Sequence, residues 1–193
     1  MPSGMGDYYC DSAGIGGVHC AEVDIQEANA HAWHSVVHTD HDPDGKDGGF
    51  GGGEWSWSGP RDWTKEQYSP GGNCVDTSAP FRVNVSFPID DRTQELSHIE
   101  TILSQNGCSI KTRRVGKGGG RHSYSDEQMK EISIAMRAGM TPVFSHYTTG
   151  HIAWLSGVGK DKKGACNAAL NARSTCSEMF FSEFSVSPGP GFS

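Results

Sequence analysis

The chain has 193 residues, 35% of them hydrophobic and 26 of them glycine, which suits one domain with a sizeable core built from short strands and many turns. A formal net charge of −7, with cations gathered only over residues 111–117, argues against a nucleic-acid partner, because phosphate binding relies on massed lysine and arginine. No apolar run reaches membrane-spanning length, so no membrane partner is expected either.

Residues 1–18 read as glycine-rich loop, followed by a strand from Glu22 to about Glu27. A polar stretch with His31, Trp33, His34, His38 and His41 comes next and reads as solvent-facing loop. Residues 48–53 are too rich in glycine for regular structure, and Trp55, Trp57 and Trp63 lie in loop sequence. From Phe81 to Phe87 apolar and polar residues alternate, the mark of a half-buried strand. Strands over 99–104 and 109–114 flank Gln105-Asn106-Gly107, and Asn-Gly predicts that the two pair as a hairpin.

Ser125 opens a capping box with Gln128, so a helix begins there, with Met129, Ile132 and Met136 as its apolar stripe and Gly139 as a left-handed stop. Residues 143–147, 151–155 and 179–186 read as further strands. Many antiparallel strands with one short helix predict a mainly β fold, an antiparallel β-sandwich, over a single domain spanning 1–193.

The densest chemistry lies in Cys20-Ala21-Glu22-Val23-Asp24-Ile25-Gln26-Glu27-Ala28-Asn29, which holds three carboxylates within six residues. A solvated acidic turn is the ordinary reading of such a cluster. A regular helix brings only Asp24 and Glu27 together, as like charges. On a strand Glu22 and Asp24 share a face, and Glu27 points the other way unless a β-bulge between Asp24 and Glu27 shifts the parity. With that bulge all three acids face one side, while Val23 and Ile25 face a core.

Six cysteines, at 10, 20, 74, 108, 166 and 176, contain no C-x-x-C pair, which argues against structural zinc. The short spacings 10/20 and 166/176 suit disulfides closing small loops, and hence an oxidising compartment, although several connectivities remain open. The start Met1-Pro2-Ser3-Gly4 has no signal-peptide character, so the chain reads as a truncated product. Asp40-His41-Asp42-Pro43-Asp44-Gly45 imitates the start of a calcium loop. Gly51 stands where the twelfth-position glutamate belongs, so a plain Asp-Gly turn is the reading. His31, His34, His38 and His41 offer zinc chemistry in principle, but a polar loop accounts for them, and neither metal nor cofactor is expected.

The decapeptide from Cys20 to Asn29 resembles the signature around the catalytic carboxylates of glycoside hydrolase family 7, the cellulases and cellobiohydrolases built on a concanavalin-like jelly roll. His38, eleven residues after Glu27, falls where that family keeps a substrate-contacting histidine. Asp42-Pro43-Asp44-Gly45, Asp62-Trp63, Tyr68-Ser69-Pro70-Gly71, Asp76-Thr77, the Phe81 strand, Gln105-Asn106-Gly107, the Ser125 helix, Gly139-Met140, Trp154-Leu155 and Phe181-Ser182-Glu183-Phe184 follow in family order. The resemblance covers nearly the whole chain but only about the C-terminal half of the usual family domain. It therefore implies a partial jelly roll: an N-terminal half or a second chain supplies the rest, or the fragment is marginal, or the chain is a trimmed relative.

The resemblance implies Glu22 as nucleophile, Asp24 as its supporting carboxylate and Glu27 as general acid/base, in retaining hydrolysis of β-1,4-glucosidic bonds in cellulose or a related β-glucan. On that assignment the negative charges of Glu22 and Asp24 favour the protonated form of Glu27. The resemblance further places His38, Trp154 and Tyr147 against the sugar, while core packing is the competing reading of Trp154. It pairs Cys10–Cys20 and leaves Cys74–Cys108 and Cys166–Cys176. Trp33, Trp55 and Trp57 either line a cleft or pack within loops. Lys65 and Lys163 stand roughly where family arginines grip sugar, which weakens the expectation of tight product-side binding, and the short loops point to an open, endo-acting cleft. An extracellular location follows from the resemblance and the cysteines. Two alternatives stand beside this: an inactive carbohydrate-binding remnant, and a family 16-like β-1,3/1,4-glucanase, which shares E-x-D-x-x-E.

Overall fold

The computed structural model describes residues 10–14, 17–45, 62–115, 124–145, 155 and 180–188. Within them the fold is mainly β with a single helix. The strands are β1 (Glu22–Ala28), β2 (Trp33–His38), β3 (Tyr68–Ser69), β4 (Val75–Asp76), β5 (Arg82–Ser86), β6 (His98–Gln105) and β7 (Cys108–Val115), and the helix is α1 (Asp126–Ala138). β1 and β2 form an antiparallel hairpin, β5-β6-β7 an antiparallel three-stranded sheet, and β3 and β4 a two-residue parallel pair.

The Asn-Gly hairpin forms where expected. Asn106 at φ 49° and Gly107 at φ 83° make the turn, and Gln105 pairs with Cys108. Two successive positive φ angles match the right-handed twist of the flanking strands, which is why Asn-Gly sits there. Along β6, Ile99, Thr101 and Leu103 are buried in strict alternation, opposite Thr112 and Ile110 of β7 and Val83 and Val85 of β5.

The hairpin and the three-stranded sheet share two cores. One joins Trp33 of β2 to Trp63, Tyr68, Val75, Leu103 and Ile110. Its rings meet edge-on or tilted, Trp33 and Trp63 with centroids 6.0 Å apart, Trp33 and Tyr68 6.1 Å apart. Trp33 is fully buried and Trp63 donates its indole N–H to the Lys111 carbonyl, so both tryptophans are core residues. The other core joins Val37 of β2 to Leu96, Ile99, Tyr124, Met129 and Ile132, with Val23 at its edge.

α1 has the expected cap. The Ser125 hydroxyl accepts from the Gln128 N–H, and the Gln128 side chain accepts from the Ser125 N–H in return. Met129 and Ile132 are buried and Met136 partly so. Gly139 takes φ 102° and ψ 124°, a positive-φ exit into extended backbone in place of the left-handed stop expected.

Two disulfides stand as paired from the resemblance, Cys10–Cys20 and Cys74–Cys108, and are compatible with an oxidising, extracellular environment. Cys166 and Cys176 lie outside the described residues, as do Trp55, Trp57 and Lys163.

The C-terminal expectation needs correction. Residues 143–145 and 180–186 belong to no strand, and of 151–155 only Leu155 is described. Val143, Phe144, Phe181 and Phe184 are exposed, and the Phe144 ring meets Phe181 and Phe184 at 5.0 and 5.1 Å. Apolar alternation measures fitness for a pleated surface, but a strand exists only where a neighbouring ladder accepts its hydrogen bonds. The polar stretch over 33–38, expected as loop, is instead strand β2, paired with β1 and buried continuously from Trp33 through Val37.

Replacing Ser125 with Ala removes the cap's acceptor and is expected to lower stability by about 1 kcal/mol. Urea unfolding should show a reduced midpoint at unchanged slope.

Candidate active site

The hairpin register places the acids. Glu22 pairs with His38, Val23 with Val37 and Asp24 with Val36; the register then shifts, and Glu27 pairs with His34 and Ala28 with Trp33. Two residues, Ile25 and Gln26, therefore oppose Ser35 alone. Ser35 pins this bulge: its hydroxyl donates to the Ile25 carbonyl at 2.7 Å and accepts the Trp33 indole N–H at 2.9 Å. Directly opposed residues share a face. Glu22, Asp24 and Glu27 thus lie on one face with His34, Val36 and His38, while Val23, Val37, Ala28 and Trp33 pack into the cores.

The expected bulge is present and turns all three carboxylates to one side. Ile25, expected in the core, is 39% exposed because it sits in the bulge, outside the regular pleat.

Each acid has a partner. Glu22 Oε2 accepts the Ser12 backbone N–H at 3.1 Å. Ser12 lies in the loop closed by Cys10–Cys20, and the Cys20 N–H donates to the Asp11 carbonyl at 2.9 Å, so the disulfide loop holds this donor over the strand. Asp24 Oδ2 is 3.0 Å from His38 Nε2. Glu27 Oε2 is 2.7 Å from His34 Nδ1.

The turn after β2 folds back onto the same face. His38 Nδ1 donates to the Pro43 carbonyl at 2.8 Å. A Cβ on Gly45, at φ 65°, would lie 2.6 Å from His38 Cε1 and 2.7 Å from Val36 Cγ2. Only glycine allows that approach. The turn is anchored from α1, where Glu131 accepts the Asp40 N–H at 2.9 Å and lies 3.4 Å from His41 Nδ1. The Asp-Gly turn reading of 40–45 holds: the Gly45 N–H donates to the Asp42 carbonyl.

Burial alone would lower the His38 pKa. The hydrogen bond to Asp24 and its charge, the Pro43 carbonyl and the charge of Glu22 outweigh it and push the pKa up to about 9. His38 is therefore an imidazolium at neutral pH, donating from both nitrogens. Glu22 is raised above its ordinary 4.5, first by burial and then by Asp24, with Ser12 and His38 pulling it partly back. Glu22, Asp24 and His38 each place a ligand atom within 4.8 Å of the others. Such a trio is a donor set that a cation could use only by displacing the His38 proton, because a metal needs the lone pair that the N–H occupies.

The structure gathers Glu22, Asp24 and His38 and sets Glu27 on the same face across the bulge, beside His34, and it gives His38 a role other than the sugar contact expected. His38 spends both ring nitrogens inside the chain, on Asp24 and Pro43, and so supports the carboxylates from behind. Trp154 and Tyr147 lie outside the described residues. Lys65 lines a shallow surface pocket of about 470 Å³ with Glu66, Ser69, Gly71 and Asn73, none of them on the acid-bearing hairpin. Sequence reasoning missed His34 and Ser12. The signal for His34 was its even spacing from His38, which gives both rings the same face once the stretch is read as a strand. Nothing local pointed to Ser12.

No protein-family model matches the chain, no curated protein matches it, and no solved structure matches it.

The raised His38 pKa fixes the sign of a stability effect. Its contribution is fully present below the ordinary 6.5 and is lost as pH rises through about 9. Glu22, also raised, acts in the same direction over a lower range beginning at 4.5. Denaturant unfolding across the His38 window should show wild-type stability falling with pH and His38→Gln lacking that fall.

Proposed function

We propose that this protein is a secreted retaining β-1,4-glucan hydrolase, endo-acting and similar to glycoside hydrolase family 7, with Glu22 as nucleophile, Asp24 as its partner and Glu27 as general acid/base. The observation that carries the reading is the bulge in β1, which brings the three carboxylates onto one face with a separate hydrogen-bond partner for each.

Glu22 attacks the anomeric carbon as the glycosidic C–O bond breaks, and Glu27 gives its proton to the departing oxygen. Water then attacks the same carbon, Glu27 takes its proton, and Glu22 is released, so two inversions give net retention. The nucleophile must be ionised. The Ser12 N–H and the His38 imidazolium favour that form against burial and the charge of Asp24. Asp24, held by His38, orients the neighbouring carboxylate. The acid limb of the rate profile is therefore expected above the ordinary carboxylate range, and it should shift up further in His38→Gln.

Glu22→Gln is expected to abolish hydrolysis of a soluble cello-oligosaccharide while leaving it bound. Glu27→Gln should lower turnover by about 10²–10⁴-fold. Product followed by NMR from the first minutes should retain the anomeric configuration; inverted product would sink the reading. Wild-type binding without turnover would identify a carbohydrate-binding remnant, and hydrolysis of laminarin in place of cellulose derivatives a family 16-like enzyme.

A further inference from the structure

The charge of Asp24 is met by His38, but the acid on the far side of the bulge has its own imidazole. His34 lies directly opposite Glu27 in the hairpin register, its Nδ1 2.7 Å from Glu27 Oε2. The His34 side chain is 3% exposed and Glu27 21% exposed, so the ring belongs to the packed structure and the carboxylate reaches outward from it. Val36 separates the two histidines along β2, which puts His38 with Glu22 and Asp24, and His34 with Glu27. We infer that His34 is a positioning residue that fixes which oxygen of Glu27 carries the transferable proton; this rests on the acid/base role proposed above for Glu27.

An Nδ1–H tautomer of His34 donates to Oε2. A proton on Oε2 would compete with that donor, so the acid's proton sits on Oε1. When Oε1 gives its proton to the departing glycosidic oxygen, the electron pair of the O–H bond stays on Glu27, and the new carboxylate keeps the His34 hydrogen bond. Hydrogen bonds to an ionised group are about twice as strong as neutral ones, so the contact strengthens as the proton leaves. An interaction that is stronger late in the reaction than early accelerates it. In the second step the same bond holds Glu27 as it takes the proton from water.

The role has a signature that simple packing lacks. A leaving group that departs without protonation does not need His34; an ordinary sugar does. His34→Asn keeps an N–H donor near the Nδ1 position, whereas His34→Leu has nearly the same size and no donor. For His34→Leu, kcat/KM on cellotetraose is expected to fall by about 10-fold or more, part of the full acid-catalysis contribution, while that on dinitrophenyl cellobioside stays near wild type. His34→Asn should restore most of the loss. Equal losses on both substrates, or no loss on either in a folded variant, overturn the inference.

If His34→Leu does not fold, the wild-type ¹⁵N histidine spectrum decides. A protonated Nδ1 whose shift moves in Glu27→Gln supports the inference, and an unprotonated Nδ1 overturns it. The two levels separate cleanly. Unchanged cellotetraose hydrolysis in Glu27→Ala sinks the acid/base reading itself. Loss in Glu27→Ala that is rescued by the dinitrophenyl substrate, with no such pattern in His34→Leu, sinks only the role of His34.

Discussion

The bulge between Asp24 and Glu27, pinned by the chain of hydrogen bonds from the Trp33 indole through Ser35 to the Ile25 carbonyl, is the constraint on which the rest of the site depends. In a regular strand Glu27 would point with Val23 toward the cores shared with the three-stranded sheet. An ionised carboxylate there would cost several kcal/mol in lost hydration. One extra residue reverses its direction and turns the cost into a usable group. The pin is itself a product of packing: Trp33 is fully buried, and its N–H reaches the Ser35 hydroxyl because the ring is wedged against Trp63 and Tyr68.

Gathering the acids raises a second problem, their mutual repulsion. At an effective dielectric near 20, a like-charge pair about 4–5 Å apart costs roughly 3–4 kcal/mol before solvent screening. The hairpin answers with cations and N–H dipoles drawn from three directions. β2 contributes His38 and His34, the disulfide loop contributes the Ser12 N–H, and the turn after β2 contributes the Pro43 carbonyl that keeps His38 doubly donating. Glu131 of α1 holds that turn in place, so the helix and the acid face are mechanically linked although they lie far apart in the chain.

Parts of this architecture were legible residue by residue. Asn106-Gly107 names its hairpin because few other dipeptides accept two positive φ angles. Ser125 and Gln128 name the start of α1 because their side chains answer each other's backbone. The bulge was legible too, since only a parity shift reconciles Glu22, Asp24 and Glu27. The strand over 33–38 was not, because its histidines look like solvent-facing polar residues until their partners across the hairpin are known. The expected C-terminal strands over 143–147 and 179–186 differ, in their described parts, for the opposite reason: residues 180–186 have strand-like apolar content but no ladder among the described residues to receive it.

The sequence by itself determined the local geometry: the turn at Asn106-Gly107, the cap of α1, the two disulfide pairings read by resemblance, and the chemistry of three acids on one strand. Each depends on residues a few positions apart or on a motif carried whole. Only the tertiary structure decided which groups complete the site. Ser12 reaches Glu22 across ten residues through a disulfide loop, His34 and His38 meet their acids across a hairpin, and Gly45 brings the turn down onto His38 and Val36. Those partnerships follow from register and close packing, which exist only once the two strands have paired and their shared core has closed behind them.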